Sequence, residues 1–210
     1  MRLAILLAVL PLAITWLWLR RTMGAITFLL ALTGGILSLA LAAAVQTALP
    51  AVKFDAARVS LAGVLIWTSL IEEGSRLLAL VLLFNAPFFN KGKTPPPHPA
   101  AAGMVAGLAF AAVETLSFAA YGMSGGMIGI LRLGAALLHA ACGLRCGLAA
   151  SAVLSLKSPG AAMNGFFCFA TAAAFHTMYN FMAPRGSFFT ILALLLALSS
   201  LASGLRRIPA

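Results

Sequence analysis

The chain has 210 residues, of which 62% are hydrophobic and only 9% are charged. This composition excludes an ordinary soluble domain and predicts an all-α bundle that crosses the membrane several times. The net charge of +10 does not indicate a nucleic-acid partner, because most basic residues lie at the ends of apolar stretches, where they set orientation in the bilayer. We predict one integral membrane domain over residues 1–210.

Apolar stretches separated by polar or glycine- and proline-containing segments predict seven spans. The first resembles a signal peptide in length, but Arg20 and Arg21 follow its apolar core instead of preceding it, so we predict a retained span. Gly34 and Gly35 in the second span offer a close helix contact. The predicted spans are residues 3–19, 24–45, 61–84, 100–121, 127–156, 161–183 and 188–203.

Basic residues are distributed unequally between the two sides of this arrangement. One side holds seven of them and the other holds four. The positive-inside rule therefore predicts a multi-pass protein of the plasma membrane with its N-terminus outside and its C-terminus in the cytoplasm. The first group is Arg20, Arg21, Lys91, Lys93, Lys157, Arg206 and Arg207, and the second is Arg2, Lys53, Arg58 and Arg185.

Acidic residues are rare, and three of the four, Glu72, Glu73 and Glu114, lie inside predicted spans. A carboxylate at bilayer depth is costly, so each one suggests a functional site. On a helix Arg76 lies about 40° from Glu72 and about 60° from Glu73, so it could pair with either. A packing pair needs one carboxylate and this span carries two, which favours a function.

Four ionisable residues from four spans are predicted to lie at similar depth. Counting ~1.5 Å per residue from the outer face puts Glu72 and His139 roughly 16–18 Å deep, and Glu114 and His176 roughly 10 Å deep. His176 and Asn180 are four residues apart and share a helix face. These residues are therefore expected to meet in the outer half of the membrane.

Further residues share helix faces with this group. Phe110, Glu114 and Tyr121 lie on one face of the fourth span, where the tyrosine could form a hydrogen bond near the glutamate. Arg132, His139, Cys142 and Cys146 lie on one stripe of the fifth. Zinc on the cysteines is an alternative, but small cysteines in a helix interface usually pack as apolar residues.

The predicted cluster contains the parts needed to hydrolyse an amide. A buried carboxylate can act as general base on water, and a histidine or asparagine can donate hydrogen bonds to a developing oxyanion. Glu72, Glu114, His139 and His176 could equally hold a divalent metal such as zinc. The residues alone leave the metal-dependent and glutamate-only versions open.

The order of motifs along the chain resembles the PrsW family of intramembrane proteases and, more distantly, the CAAX-prenyl endopeptidase and Abi superfamily. The resemblance extends over residues 61–183, which would form the catalytic core. Arg76 stands where lysine is commoner in that family, and Thr115 where asparagine is usual. The motifs are Glu72-Glu73-x-x-Arg76, Phe110-x-x-x-Glu114, His139 and His176-x-x-x-Asn180.

The resemblance implies a polytopic protease that cleaves a membrane-associated protein or peptide, for example an anti-sigma factor in stress signalling. Its catalytic candidates are Glu72, Glu73, His139 and His176, with Glu114 and Asn180 matching the remaining motifs. Non-proteolytic scaffolds also belong to the superfamily, so fold alone does not settle activity.

Combining residues and resemblance, we expect Glu72 to be the general base, with Glu73 sharing its proton or orienting it. We expect Arg76 to hold the pair, and His176 with Asn180 to stabilise the oxyanion. His139 and Glu114 would complete the pocket or hold a metal, with Phe110 and Arg132 in support.

Two other functions remain open at this stage. The first is a scaffold or immunity protein of the same fold that binds another membrane protein. The second is a proton-coupled transporter, which is disfavoured because the sequence contains no internal repeat.

Overall fold

The computed structural model describes residues 2–48, 60–86, 98–122, 126–155, 159–206 and 208, and these residues form an all-α membrane bundle. Every predicted span corresponds to a helix, and no boundary differs by more than three residues; the largest difference is at the end of α2. The helices are α1 (Arg2–Leu19), α2 (Ala25–Ala48), α3 (Leu61–Asn85), α4 (Pro99–Ala120), α5 (Gly126–Leu154), α6 (Pro159–Met182) and α7 (Ser187–Leu205).

Several predictions concern residues outside the described ranges. Most of the proline-containing loop over residues 90–99 is among them, as are six of the basic residues used to predict orientation. Those six are Lys53, Arg58, Lys91, Lys93, Lys157 and Arg207.

Within the described residues, five helices are long and apolar enough to cross a membrane: α1, α2, α4, α5 and α7. The other two, α3 and α6, are also long enough, with 25 and 24 residues or roughly 36–38 Å. They are more polar because α3 carries Glu72, Glu73 and Arg76, and α6 carries His176 and Asn180. The two helices that apolarity alone would miss are therefore those that carry the glutamate pair and His176.

A glycine interface joins α4 to α5 at the centre of the bundle. Gly103 and Gly107 of α4 face Gly143 and Gly147 of α5, and a Cβ atom at Gly107 would overlap the backbone carbonyl oxygen of His139. Small residues of this kind let two helix backbones approach closely. The contact fixes the height of His139 relative to α4, the helix that carries Glu114.

The other helices are arranged around this pair. The central helix α5 packs against α1, α3, α4, α6 and α7, and α2 packs between α3 and α4. Gly35 of α2 lies against the backbone of Ala106, as the Gly34–Gly35 pair predicted. Direct contact between α3 and α4 is slight, while α6 packs against α3. Helices α3 to α6 thus surround the interior region where the polar residues meet.

Candidate active site

The deepest part of the site is an ion pair between Glu73 and Arg76, both fully buried. One guanidinium nitrogen of Arg76 donates a short hydrogen bond to Glu73 Oε2. The guanidinium also lies 4.6 Å from the ring centre of Phe110, so an aromatic face covers the cation. Of the two partners that the spacing allowed for Arg76, the structure selects Glu73.

His176 connects this pair to Glu72. Its Nδ1 lies 2.7 Å from Glu73 Oε1. Because a carboxylate paired with arginine acts as an acceptor, Nδ1 carries the hydrogen and donates it. The other ring nitrogen, Nε2, then faces Glu72 Oε2 at 3.4 Å. Glu73 therefore fixes both the tautomer and the direction of the His176 ring.

Glu72 has a different environment from its neighbour. Its Oε2 is buried and has no hydrogen-bond partner among the described residues, while 14% of its side chain remains exposed. A carboxylate oxygen and the lone pair of a neutral imidazole are both acceptors, so they need a proton, a water molecule or a cation between them. The space between Glu72 and His176 is thus suited to bind one of these.

His139 occupies the opposite side of the same space, with its ring centre 5.0 Å from that of His176 and 4.8 Å from that of Phe110. Its Nδ1 lies 3.0 Å from a guanidinium nitrogen of Arg76. Arginine has only donors, so Nδ1 accepts and Nε2 carries the hydrogen. That Nε2 lies 3.2 Å from Glu114 Oε2 and donates to it. Both nitrogens of His139 are therefore engaged.

A second ion pair, between Glu114 and Arg132, lies nearer the surface. Arg132 donates a short hydrogen bond to Glu114 Oε2 and a 3.3 Å bond to the hydroxyl of Thr115. Its guanidinium lies 4.6 Å from the ring centre of Phe118. The side chains of Arg132 and Glu114 are 12% and 25% exposed. Hydrogen bonds thus connect the two ion pairs through His139.

A cavity of about 330 Å³ opens beside this second pair. Asn180 lies in its wall, one helical turn beyond His176 on the same helix. Tyr179, also in the wall, donates a 2.7 Å hydrogen bond to the backbone oxygen of Leu131. The lining residues are Leu65, Glu114, Phe118, Leu131, Arg132, Ala135, Leu138, His139, Tyr179, Asn180, Ala183 and Pro184.

Three residues of the cavity wall were not among those predicted from the sequence: Phe118, Ala135 and Tyr179. Phe118 is four residues after Glu114, a spacing that places it on the same helix face and could have suggested contact with the same arginine. Ala135 and most other wall residues are ordinary apolar residues of a membrane helix, so they give no comparable signal.

One predicted contact is wrong. Tyr121 does not form a hydrogen bond near Glu114; it lies past the end of α4 and is 86% exposed. The prediction assumed that the helical face continued to Tyr121, whereas α4 ends at Ala120.

The cysteines of α5 pack in the interior. Cys142 donates a 3.4 Å hydrogen bond to the backbone oxygen of Ala172, and the sulfur of Cys146 lies 3.3 Å from Glu73 Oε2. These contacts agree with the preference for packing over a zinc site on the cysteines, and they add Cys146 to the surroundings of Glu73.

Three residues form a candidate metal site, because their ligand atoms all lie within 4.8 Å of one another: Glu72, His139 and His176. Carboxylate oxygens and imidazole nitrogens are common zinc ligands, and the buried Glu72 oxygen, which has no hydrogen bond with any described residue, is suited to contact a cation. Glu73 bonds to the far nitrogen of His176 as an outer carboxylate does in metal sites. His139 can bind the metal only if one of its ring nitrogens gives up its hydrogen bond, either the one to Arg76 or the one to Glu114. Glu114 is not part of this group.

An apolar helical bundle with carboxylates and imidazoles around an internal space has the features expected of an intramembrane hydrolase. The model of the PrsW family, described as intramembrane metalloproteases, matches residues 20–203, and the chain belongs to this family. No curated protein and no solved structure matches the chain significantly. Family membership supports an intramembrane protease function and agrees with the resemblance of the motifs.

Proposed function

We propose that this protein is an intramembrane endopeptidase in which Glu72 activates the attacking water. The observation that carries the proposal is the buried Glu72 oxygen, which has no hydrogen-bond partner among the described residues and faces His176 Nε2 at 3.4 Å. An unsatisfied buried carboxylate oxygen is costly unless something occupies the adjoining space. A water molecule there would lie beside both a base and an imidazole.

In the proposed reaction, Glu72 takes one proton from this water molecule while the water oxygen attacks the carbonyl carbon of the peptide bond. A carbon–oxygen bond forms, and the carbonyl oxygen becomes an oxyanion. When the carbon–nitrogen bond breaks, Glu72 returns the proton to the leaving amine. The products are a carboxylic acid and an amine, and Glu72 is regenerated.

Glu73 and Arg76 act as positioning residues in this scheme. Glu73 holds His176 through Nδ1, and Arg76 balances the charge of Glu73 while holding His139 through the other end of its guanidinium. In this scheme Glu73 does not share a proton with Glu72, because Arg76, His176 and Cys146 already occupy its oxygens. The two histidines are thereby held toward one space.

Asn180 is proposed to bind the substrate backbone and the developing oxyanion, since its amide can donate hydrogen bonds and it lies in the cavity beside the site. Phe110 supports Arg76 and His139 from one side. Arg132 and Glu114 form the polar part of the cavity wall and hold His139 Nε2. Residues 61–183 would thus form the catalytic core of a single integral domain over residues 1–210.

Glu72, His139 and His176 would hold a divalent metal, such as zinc, in the metalloprotease version of this site. A metal bound there would supply Lewis acidity, which makes water a stronger nucleophile and polarises a carbonyl group. To bind it, His139 must exchange one of its two hydrogen bonds. Glu73 would keep its role behind His176.

The proposed setting is the plasma membrane, with the N-terminus outside, the C-terminus in the cytoplasm and the site in the outer half of the bilayer. The substrate would be a membrane-embedded protein or peptide that approaches through lipid. Release of a signalling factor, as in anti-sigma factor cleavage, is the corresponding physiological role.

The scaffold alternative explains part of the structure. A stable but inactive bundle would also need its buried carboxylates to be paired with cations. Glu73 is paired with Arg76, and Glu114 with Arg132. It gives no reason for Glu72, whose buried oxygen has no hydrogen-bond partner in the described part of the chain. The proteolytic proposal accounts for all three carboxylates.

The test compares N-terminal peptides from membranes of cells that make wild-type protein or Glu72→Gln at equal levels. We expect new peptide ends that require Glu72. Leu70→Ala is a suitable control, because Leu70 is two residues away on α3 with an exposed side chain, and it should cleave like wild type. Identical peptide ends in wild type and Glu72→Gln would support the scaffold.

A further inference from the structure

The cavity adjoins the space between Glu72 and His176. Glu114 and His139 line it, and His139 also offers a ligand atom within 4.8 Å of Glu72 and His176. A group held in this cavity therefore lies next to the space where water is proposed to react, because His139 borders both.

The size of the cavity limits what can enter. About 330 Å³ is near the lower end of the range of roughly 300–1,000 Å³ found for ligand pockets. A helix with side chains is about 10–12 Å wide and cannot fit. A single large side chain can, so the cavity would take one side chain of the substrate and not a whole helix.

The chemistry of the walls divides the cavity into two parts. Asn180 and the Arg132–Glu114 pair form a polar part that can bond to an extended peptide backbone. The rest of the wall is apolar and suits a hydrocarbon or aromatic side chain. The apolar lining residues are Leu65, Phe118, Leu131, Ala135, Leu138, Ala183 and Pro184.

The membrane has a route to this cavity beside the last turns of α4. Helix α2 packs between α3 and α4, but Leu116, near the end of α4, is 38% exposed although residues 100–111 of the same helix are buried. Leu65 and Phe118 form the corresponding edges of the cavity. A membrane-embedded segment can therefore reach the pocket without crossing the glycine-packed centre of the bundle.

We propose, on the basis of the proteolytic function above, that this cavity is a specificity pocket for one large apolar side chain next to the scissile bond. Ala135 of α5 sets its depth. The residue is small, nearly buried and part of the wall between Arg132 and His139, so a longer side chain at this position takes up pocket volume. The preferred substrate carries leucine, methionine or phenylalanine at that position.

The test uses purified full-length protein in phosphatidylethanolamine–phosphatidylglycerol liposomes, with a library of single-span peptides randomised at six central positions. Cleavage sites are read by mass spectrometry. We expect wild type to enrich large apolar residues at one position beside the cleaved bond. Ala135→Leu should shift the preference there toward alanine and glycine by about tenfold or more, as expected for lost pocket volume. Ala135→Gly should shift it the other way.

A matched control is available on the same helix. Ala149→Leu makes the same change four turns away, in a separate apolar cavity lined by Leu77, Val153 and Phe166. It should leave the preference unchanged. Thermal unfolding of each variant checks folding, and Ala135→Val replaces Ala135→Leu if the latter does not fold.

The outcomes separate the two proposals. Glu72-dependent cleavage with the same preference in all Ala135 variants would overturn the pocket and leave the protease intact. An equal shift in Ala149→Leu would also overturn it, because the effect would then arise from α5 packing. Absence of Glu72-dependent cleavage by wild type would overturn both.

Discussion

Glu72 and Glu73 are adjacent on one turn of α3, yet their carboxylates differ in burial and in hydrogen bonding. Glu73 is fully buried and bonds to Arg76 and His176, with Cys146 in contact. Glu72 is partly exposed, and its buried Oε2 faces His176 without a hydrogen bond. Their side chains point about 100° apart, so they meet different neighbours.

The comparison indicates how one sequence motif can supply two roles. A carboxylate whose oxygens are occupied by strong donors can hold a structure together but has little capacity to accept another proton. A carboxylate with an open oxygen can take a proton or bind a cation. This difference is the basis of the proposal that Glu73 positions His176 while Glu72 activates the water molecule.

The largest expected effect on stability comes from Glu73→Gln. Removing this charge leaves the buried guanidinium of Arg76 without its carboxylate, so the free energy of unfolding should fall by about 3–5 kcal/mol. Unfolding in mixed detergent micelles measures it. Adding Arg76→Met to Glu73→Gln should restore part of the loss. A change below about 1 kcal/mol would mean that the pair resembles an exposed one and that Glu73 is not the structural carboxylate.

Zinc binding also distinguishes Glu72 from Glu73, and its measurement does not depend on proteolytic activity. In the metal-dependent version of the site, purified wild-type protein should bind zinc and Glu72→Gln should lose it, because Glu72 is a proposed ligand. Glu73→Gln should lower zinc affinity by about 10–100-fold, as expected for an outer carboxylate. Competition with a zinc-binding dye measures the affinities, with Leu70→Ala as the control. Equal zinc binding in wild type and Glu72→Gln would remove Glu72 from the ligand set.

The smallest expected effect comes from the outer pair. Glu114→Gln leaves Arg132 without its carboxylate, but both side chains reach the surface, so the free energy of unfolding should fall by about 1 kcal/mol. The glutamine oxygen can still accept from His139 Nε2. The same unfolding measurement applies, and a loss as large as that of Glu73→Gln would show that exposure does not distinguish the two pairs.

Much of the fold and of the cluster could be predicted from the sequence. Apolar spans indicate helices directly, and ionisable residues within them are rare enough that Glu72, Glu114, His139 and His176 could be expected to meet. The partner of Arg76 could not be predicted, because 40° and 60° are too similar to decide between two neighbours. The rotation of α3 against α5 and α6 decides it.

The hydrogen-bond directions and the cavity were also beyond the sequence. The tautomer of His139 follows from its position between Arg76 and Glu114, which requires three helices to be in place. The cavity is formed by side chains from α3, α4, α5 and α6 together, and its wall contains apolar residues such as Ala135, whose sequence signal is the same as that of any lipid-facing or packing residue.

The most direct test measures Glu72→Gln and Glu73→Gln side by side in liposomes, recording both cleavage of a transmembrane peptide and thermal unfolding. We predict that Glu72→Gln lowers kcat by at least about 100-fold while unfolding at the wild-type temperature, because it removes the proposed base and leaves the buried Glu73–Arg76 pair intact. Glu73→Gln should unfold at a clearly lower temperature. Full cleavage by Glu72→Gln, with a stable but inactive Glu73→Gln, would reverse the two roles and contradict the account.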